Sequence, residues 1–232
     1  MLKLRPQTNV NKTSYISDSI DERSVFIISI VTEGSKEEQI YIKGYYDLLR
    51  HQGMNNMNIE WINEDIIDKK KEEKASHPLR RLELMKERLS RINPYYKDYP
   101  DEAWLVCDRD DYSFSQKQYD TLLEECKREN IQVVISNPAF QLWLLLHFDS
   151  WLSDRIFEDD LSSKDILKII EHQLKRRVIG YSHGKLNMIR FISKIQIAQQ
   201  NSKKYCTNIQ DLKQEIGTNF GLLIDSIIKH NK

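Results

Sequence analysis

Val25 to Val31 reads VFIISIV, an almost unbroken β-branched and aromatic run flanked by charge. It lacks the alternation of a strand with one wet face, so it must be buried on both sides, as in a parallel sheet covered by helices. It ends in Thr32-Glu33-Gly34. Ser35 and Glu38 then form a capping-box pattern, and Ile40, Tyr41, Tyr45, Leu48 and Leu49 recur at helical spacing to Arg50. Strand, tight turn and helix thus form the first unit, and the motif repeats. Asn58 to Asn63 is a weaker strand, followed by the charged loop IIDKKKEEKASHP and a helix from Leu79 to Ile92, closed by Asn93-Pro94. AWLVC (Ala103 to Cys107) is a second buried strand, and Ser115 with Gln118 opens a helix to Glu129. IQVVIS (Ile131 to Ser136) is a further strand, closed by Asn137-Pro138, and Phe140 to Phe148 reads as a nearly all-apolar helix. This alternation calls for βαβ units. After Ser150 only helical patterns stand out, near Ser163 to Arg177, His183 to Gln200 and Thr218 to His230, so the tail is expected to be all-helical.

The expected organisation is a polar leader (1–24), an α/β core (25–148) and a basic helical region (149–232). Charge follows the same division. The whole chain balances 35 Lys+Arg against 35 Asp+Glu, yet residues 1–160 carry −8 and residues 161–232 carry +8. A negative half suits divalent cations and a positive half suits phosphates, or the two halves face each other. Three scattered cysteines without a CxxC pair exclude a disulfide framework and a thiolate zinc site, and point to a reducing cytoplasm. The leader lacks an apolar signal core, and no apolar run approaches the length of a membrane span.

Ligands of open α/β sheets collect beyond the carboxyl ends of the strands. Glu33 lies just past the first strand; Asp108, Asp110 and Asp111 lie just past AWLVC. If those strands are neighbours, four carboxylates converge, and a hard divalent cation such as Mg²⁺ is the usual compensation for their repulsion. Acidic residues are also common in loops, and Glu38 reads as a helix cap. A calcium loop of the EF-hand type starting at Asp108 fails, lacking Gly at its sixth position and Glu at its twelfth. His147 could protonate a leaving oxygen, or serve as a core histidine; Phe140 and Trp143 read as core. Arg109 could orient toward phosphate or pair with an acid. Arg176, Arg177, His183 and Lys185 are candidate phosphate contacts, with Tyr181 available to stack on a base, unless this is simply a solvated helix face.

The segments VTEGSKEEQIYI, AWLVCDRDDYSF and SNPAFQLWLLLHF, in that order, together with GTNFGLLIDSII near the end, resemble the signature blocks of the RloB family over about residues 25–228. That resemblance implies a Toprim-like parallel sheet flanked by helices, followed by a helical C-terminal region. It implies a setting in bacterial phage-defence and restriction loci, beside an ABC-type ATPase called RloA. In Toprim proteins the Glu after the first strand and the later D-x-D bind Mg²⁺. On this chain they fall on Glu33, as ligand or general acid–base, and on Asp108 and Asp110, with Asp111 as an additional ligand. Ser136, Asn137, Pro138, Phe140, Gln141, Trp143 and His147 lie in the third block, with Ser136, Asn137 and Gln141 expected around the site. Two positions depart from the family form. Gln141 stands where Glu is usual, and Glu37 stands where Thr is usual, the latter expected to be a cap-region change of little consequence. The expected function is Mg²⁺-dependent (or Mn²⁺-dependent) phosphodiester cleavage of DNA or RNA in abortive antiphage defence. The alternative is a catalytically weak nucleic-acid- or nucleotide-binding adaptor of the partner ATPase, since the chain has no G-x-x-x-x-G-K-[ST] loop of its own.

Overall fold

The structure, a computed structural model, describes residues 25–33, 37–62, 77–92, 99–110, 112–148 and 161–230. The leader, the charged loop after the second strand, the Asn93-Pro94 break and the 148/149 boundary therefore lie wholly or partly outside the described residues. The first unit is β1 (Phe26–Thr32) followed by α1 (Glu37–His51), then β2 (Met57–Trp61) and α2 (Pro78–Ser90). β3 (Glu102–Asp108), α3 (Gln116–Arg128), β4 (Ile131–Asn137) and α4 (Gln141–Leu146) follow. Ser115 caps α3 as its sequence requires: its side chain accepts from the Gln118 amide while Gln118 reaches back to the Ser115 N–H.

The sheet order is β2-β1-β3-β4-β5, with β1 to β4 parallel. Side chains alternate across it, as a sheet covered on both faces demands. Ile28, Ile30, Trp104, Val106 and Val134 join one apolar cluster with Tyr41, Ile42, Tyr45 and Leu49 of α1. Val31, Ala103, Leu105, Cys107, Val133 and Ile135 join the other, with Leu82 and Met85 of α2 and Tyr119 and Leu122 of α3. The helix that follows β1 thus lies on one face and the helices that follow β2 and β3 on the other. Right-handed crossovers require this, because β1 steps outward to β2 whereas β2 steps back across β1 to β3. The direction of winding reverses between β1 and β3.

The tail supplies α5 (Ser163–Arg177), α6 (Ile189–Ile192), α7 (Ile195–Ser202) and α8 (Gly221–His230). The expected helix over His183 to Gln200 is broken, its first residues forming a turn around Gly184. The tail is also not purely helical. Gly217–Thr218 form β5, antiparallel to β4, and Gly217 lies so close to the Cys206 carbonyl that no Cβ fits there. Asn219 then extends the ladder with its side chain: Oδ1 accepts from the Ile135 N–H (2.7 Å) and Nδ2 donates to the Val133 carbonyl (2.9 Å). Ile166, Ile170, Leu174, Phe191, Ile195, Phe220, Leu223, Ile224 and Ile227 of this region share the α1 cluster. Among the described residues, no helix is long and apolar enough to cross a membrane.

Asn219→Ala leaves two buried backbone groups of β4 unpaired and should cost about 2–4 kcal/mol of stability. Chemical denaturation checks this; a loss below about 0.5 kcal/mol, the scatter of ordinary surface substitutions, would show that the ladder does not need this side chain.

Candidate active site at the carboxyl edge of the sheet

The winding reverses between β1 and β3, so their carboxyl ends form the switch point where open α/β sheets bind ligands. Thr32 pairs with Val106, and the Glu33 N–H continues the ladder to the Val106 carbonyl (2.8 Å). This carries Glu33 alongside Asp108, whose N–H donates to Glu33 Oε2 (2.9 Å). Asp108 in turn pairs with Ser136, and its Oδ1 accepts from the Phe140 N–H (2.8 Å), so the entry to α4 orients it. Each of the two carboxylates thus has one oxygen fixed by backbone.

Burial pushes the Glu33 carboxyl up to about 8; the Asp108 N–H opposes the shift, the Glu38 and Asp110 charges add to it, and Arg81 opposes it. Asp108 is raised well above the ordinary range, first by burial and then by Glu38 and Glu33. Glu38 is raised by burial and by Glu37, with His183 acting in the opposite direction. These acids therefore sense one another in a place where water does not screen them, and protons or a cation would relieve the repulsion. As the side chains stand, no three His, Cys, Asp or Glu residues among those described are gathered to hold a metal ion.

Asp110 lies near enough to act on Glu33, but it also shapes its own loop: Oδ1 accepts from the Tyr112 N–H (2.9 Å) and Oδ2 from the Ser113 hydroxyl (2.8 Å). Asp111 lies outside the described residues. Arg109 is almost fully buried, donating to the Lys213 and Phe114 carbonyls and lying over the Phe114 and Tyr119 rings (5.7 and 5.6 Å). It clamps the tail to the loop after β3, which corrects its expected role at phosphate. Tyr181 is corrected likewise: it is buried, and its hydroxyl donates to Glu37 (3.1 Å), leaving no ring face for a base. Arg177 is half-buried and donates to Gln173, while Arg176 and Lys185 are exposed.

His147 is 0% exposed, far from the role of a proton donor to substrate. Its Nδ1–H donates to the Trp143 carbonyl (3.0 Å), so Nε2 accepts from the Tyr41 hydroxyl (2.8 Å). Tyr41, Trp143 and Phe191 pack edge-on around the ring. Burial pushes it down to about 4. Ser136 and Asn137 serve the architecture, Ser136 bonding Thr218 across β4 and β5 (2.8 Å) and Asn137 the Leu212 carbonyl (3.0 Å).

The sequence reading missed Glu37 and Glu38. Glu37 is only 3% exposed, and its carboxylate accepts from Gln141 Nε2 (2.8 Å), the Tyr181 hydroxyl and the Gly184 N–H (3.0 Å). The residue expected to be inconsequential therefore joins α1, α4 and the tail. A signal was available, because extending the buried Tyr41–Tyr45 stripe of α1 one turn back lands on Glu37 and Glu38.

Because His147 is neutral when folded, unfolding takes up a proton below pH 6.5. Its contribution is intact above that pH and is lost as pH falls toward 4, a total of about 3 kcal/mol at most. Denaturation of wild type and His147→Gln at several pH values should show a shallower acid decline in the variant; equal slopes would refute the assignment.

The model of the RloB-like protein family matches residues 28–227. Searches of curated proteins and of solved structures returned no match. With the family's blocks spanning nearly the whole fold described above, the chain belongs to the RloB-like protein family.

Proposed function

We propose that this chain is a divalent-cation-dependent phosphodiesterase acting on DNA or RNA, with a Toprim-like site at the β1/β3 switch point. The observation that carries the reading is the Glu33–Asp108 pair: two carboxylates joined through a backbone N–H and both raised by burial, Asp108 also by the Glu33 charge, at the point where the winding reverses. Glu33, Asp108 and Asp110 would hold Mg²⁺ or Mn²⁺, with Glu38 close enough to share in it. The oxygens of these acids match a hard cation, and the upward shifts of Glu33, Glu38 and Asp108 are those of donors lacking a countercharge. Such an ion, when bound, polarises a phosphodiester and acidifies water. Glu33 has Oε2 committed to the Asp108 N–H, so Oε1 is the atom that can accept or return a proton. The Phe140 N–H holds Asp108 in place throughout. Exposed Arg176 and Lys185 lie on the tail for contacts to the strand backbone.

Family membership supports a setting in antiphage defence beside an RloA-like ABC-type ATPase, which would supply the nucleotide hydrolysis for which this chain has no phosphate loop. One observation favours the adaptor reading. Gln141, where the family usually has Glu, turns its donor to Glu37 and adds no charge to the acidic set.

Asp108→Asn keeps an acceptor for the Phe140 N–H and removes the charge. It should lower Mg²⁺-dependent cleavage of labelled DNA and RNA by at least about 100-fold, the scale of losing a main electrostatic contributor, with no loss of thermal stability. Cleavage at the wild-type rate would refute the site; strand binding by a wild type that cuts neither polymer would favour the adaptor.

A further inference from the structure

The Tyr181–Lys185 turn is fastened to the edge of the candidate site by a buried carboxylate, and it carries an exposed imidazole. Glu37 Oε1 accepts from the Tyr181 hydroxyl and from the N–H of Gly184, whose φ of +75° shapes the turn. Between these anchors stands His183, its side chain 77% exposed, with Nδ1 3.2 Å from Gln141 Nε2 and 3.5 Å from Glu37 Oε2. His183 also acts electrostatically on Glu38, which in turn acts on Asp108 and Glu33. The ring therefore belongs to the same edge as the acids.

The hydrogen bonds around Gln141 point to one tautomer of this ring. A carboxylate only accepts, so the group of Gln141 lying 2.8 Å from Glu37 Oε2 must be its NH₂. That NH₂ has a second hydrogen, and the His183 ring nitrogen lies 3.2 Å away. With that hydrogen turned to the ring, Nδ1 is the acceptor and Nε2 the protonated nitrogen, whereas an Nδ1–H would face the Glu37 carboxylate at 3.5 Å instead. The arrangement carries a cost, because Gln141 Oε1 is buried with no partner among the described residues. Turning the amide over would satisfy that oxygen only by facing it to a carboxylate. The outcome is an exposed imidazole oriented by two buried side chains, beside a site read as acting on phosphodiesters.

We propose that His183 is a substrate-contacting residue whose Nε2–H donates to a phosphate oxygen of the bound nucleic-acid strand, with Gln141 and Glu37 as the positioning residues that set its tautomer. The proposal rests on the phosphodiesterase reading for its ligand, but its test does not depend on cleavage. In ¹⁵N-histidine-labelled protein at about pH 8, where an ordinary imidazole is neutral, two-bond couplings should show the Nε2–H tautomer for the signal missing from His183→Ala. Gln141→Leu should convert it to a mixture. Binding of a labelled single-stranded oligonucleotide without divalent cation should weaken about ten-fold in His183→Ala, the worth of one charge-assisted hydrogen bond. The exposed position leaves the melting temperature unchanged. An Nδ1–H tautomer, equal affinity in His183→Ala, or no strand binding by wild type each overturns the proposal. Undiminished cleavage by Asp108→Asn would instead overturn the metal-site reading and leave the tautomer and affinity results standing.

Discussion

Crossovers between parallel strands are right-handed, and in this chain the first one steps outward from β1 to β2 while the second returns past β1 to β3. That single change of direction puts α1 and α2 on opposite faces and makes the carboxyl ends of β1 and β3 the switch point of the sheet. Everything chemically interesting follows from it. Glu33 and Asp108 are adjacent because the register pairs Thr32 with Val106. A uniform winding would have put a helix N-terminus over each strand end and kept the two acids apart.

The entry to α4 borders this switch point, its Phe140 N–H bonding Asp108. α4 is buried on all sides, as a helix apolar at every position but its first, Gln141, requires, and it is wedged between the sheet and the tail. Its two ends are held by different means. Gln141 at the start bonds Glu37 of α1, while at the other end Asn201 of α7 donates to the Leu146 carbonyl and Tyr41 to His147. The entry to α4 also orients Asp108 through Phe140. The position of an acid in the site is thus tied to how α1 and the tail grip one short helix, and a change at Glu37 is expected to be felt at Asp108 although the two side chains share no hydrogen bond.

Much of this was legible in the sequence. The strands β1, β3 and β4 announce themselves because a sheet buried on both faces leaves no room for alternation, and Ser115-Gln118 gives the α3 cap outright. The acids after β1 and β3 were legible for the same reason: a charge directly after a buried strand can only lie at its rim. The rest failed where local pattern does not encode distance. β5 is two residues long and owes its pairing to β4, so Gly217-Thr218 carries no strand signal of its own. Arg109 and Tyr181 look like surface residues by type, and their burial depends on partners about 104 and 144 positions away. Glu37 was misread because a charged residue in a first helical turn is normally a solvated cap, and only the continuing Tyr41 stripe argues otherwise.

The opposed charges of the two halves find their explanation in this geometry, though not as an electrostatic bond between them. Lys213–Asp120 (2.9 Å), one direct ion pair between the halves, is partly solvated on both sides, and pairs of that kind contribute about 0–1 kcal/mol. By contrast, Ile170, Leu174, Phe191, Phe220, Leu223, Ile224 and Ile227 of the tail are fully buried in the α1 cluster, at roughly 1.5–3 kcal/mol each. Apolar burial therefore holds the tail on, and its charges are not consumed in doing so. Arg176 and Lys185 stay exposed while Tyr181 and Gly184 fix the turn between them to Glu37. A positive tail held on by apolar packing keeps its field available for the phosphate-bearing ligand proposed above, which a tail held by salt bridges could not do.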